Sequence, residues 1–252
     1  MKLTSFDVGI RNLAVCVMET STNSGEGEGG AVEPDLNVPK ILHWDVINLL
    51  QDSDAKVTKR CGAFTKSNKE CGKLAKYKKG EDYFCKTHTK IEGDQGSFVE
   101  IKTKKRKVKT LGTQDLCKLL YIRLNNIIEH QYDFLSSDNI IIELQPGKNP
   151  RMKSLSNMLY SYFILKGVIE GNVKIVKFVS AKYKLTLYKG PEIECKLKGK
   201  YARDKYYGKK HCEYFLQNSE NTGLLEKFNK NPKRDDLADC FLQGYWYIQS
   251  KS

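Results

Sequence analysis

The first eighteen residues alternate between apolar and polar positions on either side of a turn at Gly9. Leu3, Phe6 and Val8 precede it, and Leu13 to Val17 follow as an almost unbroken apolar run. This pattern predicts a β-hairpin. Residues 21–39 are rich in Gly, Ser, Asn and Glu, a composition that builds no core and reads as a flexible hairpin loop. Ile41 to Leu50 is a third strand candidate. Further on, Leu116, Leu119, Leu120, Ile122, Leu124, Ile127 and Ile128 recur at helical spacing, which predicts an amphipathic helix over 113–133. Ile140, Ile141 and Ile142 form a short buried strand that ends at Glu143. Met152, Leu155, Met158, Leu159, Tyr162 and Phe163 mark the inner face of another helix, and 173–179 reads as one more strand. A basic, tyrosine-rich helix over 201–217 and a closing helix over 235–249 complete the chain. Three strands, then helix, strand, helix, strand and final helices predict an α/β domain with a mixed central sheet flanked by helices, the ribonuclease H-like order.

Residues 51–110 break this pattern. They are Lys-rich and Gly-dotted, and they end in a nearly continuous basic run, Lys102 to Lys109. The segment reads as an insertion, so the main domain comprises 1–50 and 111–252. Within the insertion, Cys61, Cys71, Cys85 and His88 cluster among polar residues. Cys85 and His88 have the two-residue spacing that zinc ligand pairs use, whereas Cys61 and Cys71, nine residues apart, do not. The set reads as a structural zinc knuckle; the competing reading is exposed cysteines in a loop. The other five cysteines, Cys16, Cys117, Cys195, Cys212 and Cys240, lie in or near apolar segments and read as small core residues.

Charge narrows the partner. The chain carries 43 Lys and Arg against 30 Asp and Glu, a net charge of +13. Such a surface attracts nucleic acid or anionic membrane. No apolar run is long enough to span a bilayer and no signal peptide is evident, which favours an intracellular protein with a nucleic-acid partner.

Four acids stand out. Asp7 sits between Phe6 and Val8 in the first strand, and Glu143 ends the most apolar strand. Asp236 and Asp239 stand three residues apart, on one face of the closing helix. Read singly, Asp7 is first a solvent-facing or turn-capping acid, Glu143 a solvated strand end, and the aspartates favourable charges in a first helical turn. As a set, they are what two-metal phosphodiester hydrolysis requires.

The motifs Ser5-Phe6-Asp7-Val8-Gly9-Ile10-Arg11-Asn12, Ile142-Glu143-Leu144-Gln145-Pro146, Arg151-Met152-Lys153-Ser154-Leu155-Ser156 and Lys233-Arg234-Asp235-Asp236-Leu237-Ala238-Asp239 resemble, in order, those of RuvC-like Holliday junction resolvases. The poxvirus and fungal mitochondrial enzymes are the most similar. The resemblance covers 1–20 and about 112 to the end. It implies a ribonuclease H-like nuclease that resolves four-way junctions by symmetric nicking, with branched DNA as partner and a homodimer as the working form. It implies Asp7, Glu143, Asp236 and Asp239 as ligands for two Mg2+ or Mn2+ ions. It also implies a viral setting: recombination, replication or concatemer processing, in the cytoplasm or the nucleus of a host cell. Two segments depart from the family pattern: the Cys/His insertion and residues 186–200. The second obscures where the family's catalytic lysine falls; Lys209 is the first candidate and Lys182 the second. Other ribonuclease H-like nucleases, transposase-like or flap-cutting, are the alternative enzymes, and a non-catalytic DNA-binding protein is the alternative outside enzymes.

The basic run yields a test of its own. Lys102 to Lys109 is too charged to pack, so it acts either as a sequence-independent phosphate contact or as a solubilising linker. Changing Lys104, Lys105, Arg106 and Lys107 to Ala should weaken binding to junction and duplex alike and flatten the salt dependence by up to about four phosphate contacts. Affinity measured across a salt series checks this; an unchanged slope means a linker.

Overall fold

The computed structural model describes residues 1–20, 37–50, 59–65, 67–91, 98–101, 111–145, 147 and 149–251. The hairpin loop over 21–36 and the basic run 102–109 lie outside the described residues. In chain order the elements are β1 (Lys2–Val8), β2 (Asn12–Glu19), β3 (Lys40–Asn48), β4 (Tyr77–Lys79), β5 (Asp82–Phe84), α1 (Lys86–Ile91), β6 (Val99–Glu100), α2 (Thr113–His130), β7 (Asn139–Glu143), α3 (Pro150–Phe163), β8 (Ile175–Val179), α4 (Lys200–Gln217), α5 (Leu225–Lys230) and α6 (Arg234–Gln249). By contacts the chain divides into two compact units: Met1–Leu49 with Leu111–Ser252, and Leu50–Thr110. Among the described residues no helix is long and apolar enough to cross a membrane.

The larger unit is built on a five-stranded sheet in the order β3-β2-β1-β7-β8. β1, β2 and β3 pair antiparallel, whereas β7 and β8 join parallel to β1. This is the ribonuclease H-like arrangement expected from the sequence. Its central strands are apolar on both faces because helices cover both. Phe6, Val8, Leu13, Val15, Val17, Ile140 and Ile142 pack with Leu116, Leu120, Leu124, Leu155, Leu159 and Phe163 from α2 and α3. The alternate residues Leu3, Ala14, Cys16, Met18 and Ile141 face Leu237, Phe241 and Tyr245 of α6, with Cys212 and Phe215 of α4. Cys16, Cys212 and Cys240 are buried as expected; Cys117 and Cys195 are half-buried.

Three features depart from the expected pattern. The helix from Pro150 does not stop at Phe163 but loosens into a π-helical turn, Ile164–Ile169. Val173 then bonds back to the Gly167 carbonyl, so the strand begins only at Ile175. A short helix, α5, seats Phe228 flat on Trp44, ring centroids 5.3 Å apart. Within the smaller unit, β4, β5 and β6 form a three-stranded antiparallel sheet in the order β5-β4-β6 where a knuckle and linker were expected. These strands have only two or three residues, too few for period-2 patterning to show.

One contact sets how closely α6 meets the sheet. A Cβ at Gly244 would lie 2.0 Å from Met18 Cε and 3.0 Å from Ser5 Cβ, and Met18 is fully buried. Gly244→Val should therefore destabilise the protein by about 1–3 kcal/mol through overpacking. Denaturant unfolding measures this; a variant of wild-type stability would mean that the α6–β1 packing is looser than described.

Candidate active site and metal centre

Strand register brings the first two acids together. Phe6 of β1 lies opposite Ile142 of β7 in a parallel pair. The next residues along, Asp7 and Glu143, therefore stand side by side at the carboxyl ends of adjacent strands. Both fall on the α6 face, since Leu3 and Ile141 point there and side chains alternate. In open α/β sheets this end is where ligands bind.

α6 brings the third acid. Gln243 donates to the Ser5 hydroxyl (3.2 Å) and to the Phe6 carbonyl (3.3 Å), which pins the helix against β1. Asp239 lies four residues earlier, a rise of about 6 Å. Asp7 lies two residues past Ser5, a rise of about 6.6 Å along the strand. The two advances match, so Asp239 comes level with Asp7. Gln145 donates to Glu143 Oε2 at 2.6 Å and orients that carboxylate.

The electrostatics are those of crowded acids. Asp7 keeps part of its surface open, yet burial drives its carboxyl well above the usual carboxylate range, and Glu143 and Asp239 push it the same way. Asp239 is also raised, by burial and by Glu143, although Lys184 pulls against both. Lys184 Nζ lies 2.8 Å from Asp239 Oδ2. Burial works to lower its ammonium pKa, but Asp239, Glu143 and Asp7 together hold it above its ordinary value. One lysine does not balance three acids. Such an all-oxygen donor set, mutually repelled and backed by apolar strands, fits hard divalent cations.

The other candidates lie nearby in different settings. Asp236 sits one turn before Asp239, paired with Lys233 at 3.7 Å. Burial raises its pKa, and the charges acting most on it are those of Asp235, Lys233 and Lys205, not Asp7 or Glu143. Asp235 bonds Lys205 of α4. Lys209 follows Gly208, where an added Cβ would lie 3.6 Å from Asp239 Oδ1, so α4 passes beside the acids. Lys209 makes no ion pair among the described residues, and Lys182 stacks over the Tyr183 ring at 4.5 Å. The lysine that does meet an acid is Lys184, in the 3-10 turn Ala181–Leu187 after β8. Sequence reasoning passed over it because such a turn has no simple periodicity. The Lys-x-Lys spacing of Lys182 and Lys184 straight after a predicted strand was the available signal. Along α4, Tyr201 is exposed with Lys205 over its ring, whereas Tyr214 packs inward against Tyr188 and Phe215.

The smaller unit holds a second cluster. The ligand atoms of Cys61, Cys71, Cys85 and His88 all lie within 4.8 Å of one another. His88 Nδ1 is 3.3 Å from Cys61 Sγ and 3.5 Å from Cys85 Sγ, and Cys71 Sγ is 3.9 Å from Cys85 Sγ. Tetrahedral bonds of about 2.3 Å to sulfur and about 2.0 Å to nitrogen imply separations of about 3.8 Å and about 3.5 Å. The match is close, and all four positions are filled by protein. Burial tends to raise the Cys85 thiol, but hydrogen bonds from the backbone of His88 and Thr87 and from the other two thiols bring it down to about 6. Gly72 takes the left-handed conformation (φ 60°) that the turn after Cys71 requires.

No family model matches the chain. An uncharacterized protein of Acanthamoeba polyphaga mimivirus is 29% identical over 230 residues, covering 82% of this chain and 54% of that protein. The chain therefore spans about half the length of the relative it matches. Among solved structures it is similar to the yeast mitochondrial Holliday junction resolvase Ydc2 (17% identity, TM-score 0.48, 99% of this chain and 81% of that one). It is similar to the fowlpox virus resolvase complexed with Holliday junction DNA (16% identity, TM-score 0.48, 100% and 99%). It is similar to the T. thermophilus RuvC–junction complex (10% identity, TM-score 0.43, 99% and 96%). The five-stranded mixed sheet agrees with the ribonuclease H-like arrangement expected from the sequence.

The Cys/His geometry has a direct check. Protein prepared without chelator should carry about one tightly held metal ion per chain, lost in Cys85→Ser and His88→Ala. The five-stranded unit should keep its fold in both variants, because none of its core side chains comes from this cluster. Elemental analysis beside circular dichroism reads both; metal-free wild-type protein would sink the assignment.

Proposed function

We propose that this chain is a metal-dependent DNA endonuclease that resolves four-way junctions, working on viral recombination or replication intermediates at the site of viral DNA synthesis. The observation that carries the reading is the convergence of Asp7, Glu143 and Asp239 with Lys184 at the carboxyl end of the central strands. The motif resemblance and the +13 charge support it from independent directions. The nuclease domain is formed by residues 1–50 and 111–252, and 51–110 is a zinc-bearing insertion. Three thiolates and one imidazole at tetrahedral spacing suit Zn2+ above harder ions, and a closed four-ligand site is structural.

In this reading Asp7, Glu143 and Asp239, with Asp236 one turn away, hold two Mg2+ or Mn2+ ions. Bound there, divalent ions supply a more acidic attacking water and charge compensation at the departing oxygen. The protein's own groups do the rest. Gln145 fixes the Glu143 carboxylate. Gln243 and Gly244 fix the approach of α6, and with it Asp239. Lys184 restrains Asp239 and presents an ammonium to the extra negative charge of a pentavalent phosphate. Lys209 of α4 remains a candidate for the same role or for contact with a backbone phosphate. A homodimer would set two such sites on one junction; the exposed Leu165, Val168 and Ile169 of the π-helical turn offer apolar surface for it.

A panel of synthetic four-way junctions, flaps, RNA–DNA hybrids and plain duplex, cut in Mg2+, tests the reading. Symmetric nicking of the junction is expected. Asp7→Asn, Glu143→Gln, Asp236→Asn and Asp239→Asn should each abolish cleavage and spare junction binding, since affinity rests on Lys and Arg. Lys184→Met should slow cleavage by about a hundredfold to a thousandfold with binding little changed. Wild-type rates in any two acid variants would overturn the site. Preferential cutting of flaps or hybrids would move the protein to another ribonuclease H-like activity.

A further inference from the structure

The smaller unit carries an unexpected share of the charge. Residues 50–110 contain 17 Lys and Arg against 8 Asp and Glu, or +9 of the chain's +13. Three of these lysines stand over aromatic rings. Lys79 Nζ lies 5.1 Å from the centre of the Phe98 ring. Lys59 and Lys78 stand 4.9 Å and 6.0 Å from the centre of the Tyr83 ring. A structural metal cluster needs neither the rings nor the lysines.

Beside the cluster is a cavity of about 250 Å³ lined by Tyr77, Phe98, Lys86, Thr89 and Lys90. Tyr77 belongs to β4, and Phe98 immediately precedes β6, which pairs with β4. Phe98 is held on edge against buried Phe84, with centroids 5.2 Å apart and planes at 83°, so its orientation is set by packing. Lys86 and Lys90 are one turn apart on α1 and both exposed. Thr89, between them in sequence, donates its hydroxyl to the Lys86 carbonyl. Among the described residues that line the cavity, the charged groups are the ammoniums of Lys86 and Lys90. The cavity is smaller than the roughly 300–1,000 Å³ of pockets that enclose drug-sized ligands, and it suits a single flat ring system. Aromatic sides with an ammonium rim match one ligand chemistry well: a base that stacks, attached to a phosphate that the lysines neutralise. An acidic peptide would use the lysines and leave the rings without a role.

We infer that this cavity binds one unpaired nucleotide of a single-stranded DNA segment. The inference rests on the proposed nucleic-acid function but not on the acid cluster. It assigns the insertion a task distinct from cleavage, the recognition of opened bases.

The test uses the full, metal-loaded chain. Fluorescence anisotropy compares a 12-nucleotide oligothymidylate with a duplex of equal length at fixed salt. Phe98→Leu and Tyr77→Leu should each weaken single-strand binding by at least about fivefold and duplex binding by less. Phe98→Trp and Tyr77→Phe, which keep a stacking face, should retain it. Metal content shows that each variant keeps its fold. In the wild-type chain, an oligonucleotide carrying 5-iododeoxyuridine should photocrosslink to Tyr77 or Phe98. Crosslinks confined to other residues, equal loss of single strand and duplex in the leucine variants, or displacement by polyglutamate as effective as by oligothymidylate would each overturn the inference. So would an RNA oligonucleotide binding much more tightly than its DNA counterpart. Junction nicking by the same preparations is read separately, so a failed pocket leaves the nuclease reading standing, and failed nicking leaves the pocket measurable.

Discussion

The parallel register of β1 and β7 is the constraint on which the larger unit depends. It sets Asp7 beside Glu143, where two carboxylates repel each other, at the ends of strands whose large side chains, Leu3, Phe6, Ile140, Ile141 and Ile142, are buried and apolar. A one-residue slip of β7 along β1 would remove that repulsion, but it would also turn Ile140 and Ile142 out of the α2–α3 core and Ile141 out of the α6 layer. Forcing three large apolar side chains into the wrong packed layer costs about 1–3 kcal/mol each, which outweighs one carboxylate pair whose charge can be relieved by protonation, Lys184 or cations. The hydrophobic pattern thus holds in place a charge arrangement that would not persist by itself. That relationship is what the proposed nuclease site requires of the fold.

This constraint also explains which parts of the molecule were legible in the sequence. Strands buried on both faces read as apolar runs, so β1, β2 and β7 stood out and their acids with them. α2 and α3 showed helical periodicity because each has one buried stripe, whereas α6 is buried on nearly every side and read as an apolar run after its acids. Their order led to the mixed sheet that the structure has. Lys184 was hidden because the 3-10 turn that carries it has no simple repeat, and its role appears only when Asp239 comes within 2.8 Å. Asp236 and Asp239 looked equivalent three residues apart; the structure distinguishes them, since Asp239 faces Asp7 and Glu143 while Asp236 faces Lys233. The Cys/His cluster was visible as composition. The odd nine-residue gap between Cys61 and Cys71 became intelligible once Thr65, Asn68 and Lys69 were seen to close a tight turn between them, with Phe64 bridged to Glu70.

In the smaller unit the metal-type ligands stand in for a core. Among its described residues the buried hydrophobic side chains are Cys61, Cys85 and Phe84, with His88 beside them, whereas Phe64, Leu74 and Val99 are exposed. So little buried apolar surface does not offset the conformational entropy of ordering such a segment. A closed four-ligand centre does, because its ligands come from three separate stretches and binding ties them together. The sheet β5-β4-β6 is better seen as a consequence of that closure than as its cause, since its strands are too short to stand alone.

The distribution of charge between the two units follows from the chemistry proposed for one of them. A centre of three crowded carboxylates repels the phosphates it would have to approach. Outside residues 50–110 the chain carries 26 Lys and Arg against 22 Asp and Glu, a balance of +4. Adding many lysines around the acids would draw DNA in, but it would also neutralise carboxylates that must stay free to hold cations, as Lys184 already does in part to Asp239. Placing +9 on a separately folded insertion avoids that conflict. Attraction of a polyanion works over roughly a Debye length, about 8 Å at physiological salt, and does not require the attracting charge to touch the reacting atoms. Metal coordination acts over about 2 Å and does require it. Affinity and catalysis thus make opposite demands on local charge, and a chain that meets both is expected to keep them on different pieces of structure.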